Sequence, residues 1–233
     1  MTVLFNDRIH AGEELADALK EYLIQTEGDF VELTNTKIKQ SLIVLAIPRG
    51  GIILGDVIAS KFHCKLDMVI SKKIGAPFNK ELAIGAVMPD GFYIINKKIV
   101  DMLNISQKYV QDEVQIQEKE IERRLKEFRG SSTYENELEG KIVILVDDGI
   151  ATGATIIAAA RWLNEGKQKC KKLIIAVPVA PAGDETIAKI NQLADKVIIL
   201  YTPSEFTAVG QFYKKFDQVS DEEVKAIMKK NTN

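Results

Sequence analysis

The sequence predicts an α/β protein built on a doubly wound, mostly parallel sheet, with an antiparallel hairpin and an inserted long helix. Three observations predict it. Short apolar, β-branched runs recur at 42–47, 66–70, 141–146, 173–177 and 196–201, the pattern of strands buried on both faces. Helical stretches separate them, and this alternation implies right-handed crossovers between parallel strands. Two of these strands also end in glycine-containing turns that open helices. Such junctions aim backbone N–H groups and a helix dipole at one edge of the sheet.

Composition narrows the function classes. At 233 residues the chain is long enough for one good core and short for two. One domain over 1–233 is expected, its core at about 42–201. A net charge of −2 supplies no global field for nucleic acid, and no long basic block replaces one. Cys64 and Cys170 stand alone without a C-x-x-C pair, as reduced thiols of a cytoplasmic protein do. His10 and His63 are the only histidines, too few and too scattered for a zinc site or a histidine-based triad. No protein metal ligand is assigned. Asn6, Asp7 and Arg8 follow the first residues at once, so no signal-peptide core is expected. No apolar run approaches the ~18–20 residues of a membrane span. A soluble, cytoplasmic protein with neither a nucleic-acid nor a membrane partner is expected.

In chain order, residues 13–23 carry Leu15, Ala18, Leu19, Tyr22 and Leu23 at helical spacing. Asn6, Asp7 and Arg8 before them carry no legible chemistry. The strand at 42–47 ends in Pro48, Arg49, Gly50 and Gly51, ahead of a helix at 52–61. The adjacent glycines bare two N–H groups, and Arg49 offers a guanidinium suited to phosphate oxygens. The strand at 66–70 delivers Lys72 and Lys73. Residues 75–81 read as a mobile loop, and 83–88 with 92–96 as a hairpin around Pro89, Asp90 and Gly91. At 106–129, Val110, Val114, Ile121, Leu125 and Phe128 form a narrow apolar stripe on a densely charged helix. Its length would be roughly 36 Å, and the stripe suits the domain's flank or a partner subunit. Residues 130–140 read as a polar connector.

The stretch around which the rest is organised is 141–155. Its apolar run ends in Asp147 and Asp148, followed by Gly149, Ile150, Ala151, Thr152, Gly153, Ala154 and Thr155, and then by a helix at 155–163. Loop N–H groups and threonine hydroxyls suit an anion. The two acids would repel a phosphate that faced them, and make sense as acceptors for a neighbouring sugar diol. Pro178, Val179 and Ala180 end the strand at 173–177, and a helix at 184–193 precedes the strand at 196–201. The tail packs Phe206, Phe212, Tyr213 and Phe216 into an irregular piece. Ser220 to Glu223 is a capping box that opens a last helix.

The 141–155 pattern (apolar strand, two acids, spacer, Thr-Gly-x-Thr, helix) resembles the phosphoribosyl-pyrophosphate (PRPP) loop of type I phosphoribosyltransferases. It lacks the glycines and lysine of a P-loop. Pro48 to Gly51 resembles that family's pyrophosphate loop, in which members often hold a cis peptide before the position of Arg49. The order of basic pair, loop and hairpin resembles its catalytic loop. The resemblance covers about 42–210 and implies a transferase that moves the 5-phosphoribosyl group from PRPP to a nitrogen acceptor, a nucleobase by preference, with release of pyrophosphate. Gly149, Ile150, Ala151, Thr152, Gly153, Ala154 and Thr155 would hold the 5-phosphate, and Asp147 and Asp148 the ribose hydroxyls. Arg49, Gly50, Gly51, Lys72 and Lys73 would grip the pyrophosphate, with Lys73 counted beside the two acids as catalytic. Mg²⁺ would be carried mainly by PRPP. The family's hood would come from the termini, about 202–233 in the tail, with Phe206 stacking the acceptor and Val179 walling its pocket. Ala151 stands where 6-oxopurine-using members carry an acid, which makes guanine or hypoxanthine a poorer fit. A homo-oligomer is expected. The competing class is a protein of the same fold that senses PRPP or nucleotides without turnover, against which the basic residues Arg49, Lys72 and Lys73 argue.

Overall fold

The chain in the computed structural model is described at residues 3–27, 41–134, 138–167, 169–183 and 185–231. It opens with α1 (Arg8–Glu27), β1 (Leu42–Ala46), α2 (Gly50–Phe62) and β2 (Lys65–Met68). An antiparallel unit follows: β3 (Lys72–Ala76), β4 (Asn79–Val87), a 3-10 turn (Pro89–Gly91) and β5 (Tyr93–Ile95). Next come α3 (Lys97–Met102), α4 (Gln107–Arg129), β6 (Ile142–Val146), α5 (Ala154–Glu165) and β7 (Lys172–Val179). The chain closes with α6 (Glu185–Asn191), β8 (Lys196–Tyr201), a second 3-10 turn (Val209–Phe212) and α7 (Asp221–Asn231).

Five strands form a parallel sheet in the order β2-β1-β6-β7-β8. All five residues of β1 and of β6 are buried, as an apolar run without alternation requires. The crossovers change direction between β1 and β6. The carboxyl ends of these two strands therefore border the crevice in which doubly wound sheets bind ligands. α1 packs on α2 and reaches across β7 and β8, while α2 lies on β1, β2 and β6. The described core is continuous, with Trp162 and Tyr134 its largest fully buried side chains.

Several boundaries differ from expectation for identifiable reasons. α1 begins five residues before the predicted start, because the Asp7 carboxylate accepts the His10 N–H at 2.9 Å and caps it. Residues 75–81 form the turn of a β3–β4 hairpin instead of a mobile loop, so the small sheet has three strands. Gly75 allows this pairing, since a Cβ there would stand 2.5 Å from the Lys80 carbonyl oxygen. α4 explains why the hairpin is held: the Tyr109 hydroxyl donates to the Gly75 carbonyl at 2.8 Å, and Lys80 reaches both Tyr109 and Glu113. β7 runs through Pro178, which lies beyond the last residue paired with β6, Ala176, so its missing N–H leaves that ladder intact. Asp184, the expected first residue of the helix before β8, lies outside the described residues.

α4 spans the predicted stretch, with Ser106 accepting the Tyr109 N–H at its start and left-handed Gly130 at its end. The five predicted stripe residues are its buried ones. They face β3, the first 3-10 turn and α7, so the stripe is spent on the domain's own flank. Its last residue, Arg129, makes a bidentate pair with Asp67 of β2 at 2.9 and 2.8 Å. α7 opens with the reciprocal Ser220–Glu223 box. The two ends of the chain pair with each other: Leu4 and Phe5 donate to Phe212, and Lys214 and Lys215 donate back to Phe5 and Asn6. No helix among the described residues is long and apolar enough to cross a membrane.

Candidate active site

Two loops meet where the sheet changes direction. The Ile47 N–H donates to the Val146 carbonyl at 2.9 Å, tying the end of β1 to the end of β6. Beyond it the Pro48–Arg49 peptide is cis. Gly50 and Gly51 then open α2 directly against the two acids. A Cβ on Gly50 would overlap the Asp148 carboxylate and stand 2.5 Å from its Cγ. One on Gly51 would lie 2.8 Å from the Val146 carbonyl oxygen and 3.0 Å from the Asp147 Cα. The glycine pair thus does more than expose N–H groups: only without side chains can the 48–51 loop lie against the acids.

The acids are tethered on one side and open on the other. Asp147 Oδ1 accepts the Asp148 N–H at 2.8 Å. Asp148 Oδ2 accepts from Arg8 Nε at 2.9 Å. Asp147 Oδ2 and Asp148 Oδ1 accept no hydrogen bond from any described residue. Burial pushes the Asp147 carboxyl well above its ordinary value near 3.8, and the adjacent Asp148 charge adds to the push. Burial raises Asp148 as well, while Arg8 pulls it back.

The rest of the loop builds an anion cradle. Ile150 is buried, and its N–H donates to the Val179 carbonyl at 2.9 Å. This anchor leaves Ala151 and Thr152 exposed. Gly153 takes a left-handed conformation, φ 68°, as the cap residue of α5. As a glycine, the cap residue offers no side-chain acceptor, so among the described residues the N–H groups of the first turn, at Ala154 and Thr155, are open to a ligand.

The other predicted site residues lie in three places. Arg49 Nη1 donates to the Val219 carbonyl at 3.0 Å, and its Nε is 3.2 Å from Asp221 Oδ1, so it reaches the start of α7. Lys72 lies 4.0 Å from Glu120 of α4, and Lys73 donates to Glu81 across the hairpin at 2.7 Å. Both lysines therefore pair with acids outside the 147–155 loop. Val179 is fully buried beneath Gly149, at which a Cβ would meet Val179 Cγ1 at 3.1 Å and Val209 Cγ1 at 2.6 Å. Half-buried Phe206 packs on Phe212 with ring centroids 5.1 Å apart.

Sequence reasoning missed Arg8 and Tyr213. The Arg8 guanidinium also donates to the Asp217 carbonyl at 2.8 Å and lies over the Phe216 ring at 3.8 Å. The Tyr213 hydroxyl donates to the Asp148 backbone carbonyl at 2.7 Å. One signal for Arg8 was available. Had the helix been started at Arg8, a cation in its first turn, which opposes the helix dipole, would have called for an anionic partner elsewhere.

A family model described as a phosphoribosyl transferase domain matches residues 6–206. A Mycobacterium tuberculosis protein provisionally named a phosphoribosyl transferase, found in two strains, is 36% identical over 225 residues. That alignment covers 97% of this chain and 46% of the relative, so the chain spans about half the length of the curated relatives it matches. The crystal structure of TT1426 from Thermus thermophilus is 31% identical and has a TM-score of 0.72, over 98% of this chain and 99% of that one.

Proposed function

The chain belongs to the phosphoribosyl transferase domain family, and we propose that it transfers the 5-phosphoribosyl group of PRPP to a ring nitrogen of a nucleobase, releasing pyrophosphate. One observation carries this reading. Two carboxylate oxygens that accept from no described residue stand beside a helix N-terminus opened by a glycine, at the point where the sheet changes direction. A ribose 5-phosphate matches that pairing: its phosphate takes N–H groups between Ala151 and Thr155, and its 2- and 3-hydroxyls donate to Asp147 and Asp148.

In this reading the C1–oxygen bond to pyrophosphate breaks as a C1–nitrogen bond forms, through an oxocarbenium-like transition state. The carboxylates offset the positive charge developing on the ring. Ala151 carries no proton-transfer group, so the acceptor's proton leaves to solvent. Arg49 and Lys73 bind the departing pyrophosphate after exchanging their contacts to Asp221 and Glu81. Among the described residues no three metal-ligating side chains cluster, and Mg²⁺ would arrive with PRPP, carried by its phosphates and by waters. The ion would supply charge neutralisation on the leaving pyrophosphate. Screening nucleobases for pyrophosphate release with PRPP and Mg²⁺ tests the reading. Release with adenine or uracil but not with guanine or hypoxanthine is expected, because Ala151 offers no carboxylate to a 6-oxopurine. PRPP binding without release from any nucleobase would favour sensing over transfer.

A further inference from the structure

We propose that Arg8 is a positioning residue of this site, holding Asp148 charged and fixed between the two loops so that its Oδ1 is presented to the ligand. Arg8 lies 140 positions from Asp148 in the chain, yet the pair is enclosed, with 12% and 17% of the two side chains exposed. Each contact of the guanidinium fixes a different degree of freedom. Nε grips Asp148 Oδ2, Nη1 grips the Asp217 carbonyl, and the Phe216 ring 3.8 Å away covers the cation's face. Gly50 packs beside the same oxygen, since a Cβ there would overlap Asp148 Oδ2 and would stand 3.0 Å from Arg8 Nε. The carboxylate is therefore gripped and packed at Oδ2, while Oδ1 accepts no hydrogen bond from any described residue. Tyr213 completes the seat by binding the Asp148 carbonyl.

The charge argument is independent of the packing argument. Two neighbouring buried acids resist ionising together, and the groups facing Asp148 are few. They are Asp147 in its own loop, Arg8 from α1 and Tyr213 from the tail, the last neutral and pushed up by burial. Arg49 beside them is turned toward Asp221. Glu223 of α7 is the nearby acid that also feels Arg8. Arg8 is thus the cation that pairs directly with Asp148. What Oδ1 accepts from rests on the phosphoribosyl-transfer reading, whereas the hold on Asp148 does not.

The test uses the full chain with carboxyl-labelled aspartate. The Asp148 carboxyl is titrated by carbon NMR in the wild type, Arg8→Met and Arg8→Lys, and ribose 5-phosphate and PRPP affinities are measured by calorimetry across pH. Removing a cation in direct contact raises a carboxyl midpoint by about 1 pH unit or more, so Arg8→Met is expected to show that rise. It is also expected to weaken ribose 5-phosphate binding up to about tenfold at pH values below the shifted midpoint, with recovery as pH rises above it, and Arg8→Lys is expected to restore most of both effects. An unchanged Asp148 midpoint in Arg8→Met overturns the proposal, as does an equal affinity loss at every pH. Should Arg8→Met fail to fold, Arg8→Lys and Phe216→Leu carry the same titration, and unchanged midpoints in both overturn it. A wild type that binds neither ligand while the midpoint still shifts refutes the phosphoribosyl reading and leaves the role of Arg8 standing.

Discussion

Gly50→Ala is the smallest change that should separate the two loops. The backbone at Gly50 lies outside the left-handed region, so the conformation itself accepts a side chain. The added methyl group would overlap the Asp148 carboxylate and lie 2.5 Å from its Cγ, where ordinary contact needs about 3.5 Å. Asp148 must retreat by about 1 Å, or α2 must move away from β6 by the same amount. Either shift draws Asp148 Oδ2 away from Arg8 Nε, now at 2.9 Å, and disrupts a largely enclosed charge-assisted hydrogen bond. Such bonds contribute about 1.5–3 kcal/mol, and Gly50 is the first residue of α2, where little helix propensity returns in exchange. Urea unfolding should therefore show a loss of about 2 kcal/mol, and calorimetry a marked loss of ribose 5-phosphate affinity. Wild-type stability together with wild-type affinity in Gly50→Ala would refute the close approach of the loops.

Two further outcomes follow from the same geometry. A carboxyl raised above its unfolded value near 3.8 binds more protons in the folded state. Its contribution to stability is thus present below that value and is lost as pH rises through the raised folded value. Asp147→Asn should accordingly stabilise the unliganded protein at neutral pH, with a gain in Tm that vanishes toward pH 4, while weakening ligand binding; a Tm gain independent of pH would contradict the assignment. Phe206→Ala should raise the acceptor's KM while leaving PRPP affinity intact, since stacking a flat ring contributes about 1–3 kcal/mol. A collapse of PRPP affinity instead would show that Phe206 supports the tail through Phe212 and nothing more.

What the sequence made legible was local or periodic. β1 and β6 announced themselves because every side chain in them is apolar, and α4 because Val110, Val114, Ile121, Leu125 and Phe128 recur on one face. The acids, glycines and threonines of 147–155 stood out as a candidate anion loop because they fall within one short run. Long-range pairs left no such trace. Arg8 with Asp148 and Arg129 with Asp67 join residues 140 and 62 positions apart, and neither follows from any spacing. The β3–β4 turn read as a loop because half of β4 is exposed, so it lacks the alternation that marks a half-buried strand. Its order comes from Tyr109 and Glu113 of α4, which no local pattern discloses. Val179 looked like a pocket wall from its place at a strand end, but the tail's Val209 and the missing side chain at Gly149 bring it beneath the loop.

The most direct measurement of the central claim is calorimetry of PRPP with Mg²⁺ on the wild type and on the double variant Asp148→Asn, Thr152→Ala. The variant removes one hydroxyl acceptor and one phosphate donor from the 147–155 loop, each loss costing about 1–3 kcal/mol when the partner is left unpaired. Binding by the wild type, with a loss of roughly a hundredfold or more in the variant, is the predicted result. Equal affinity in the two proteins would contradict the assignment of this loop as the phosphoribosyl site.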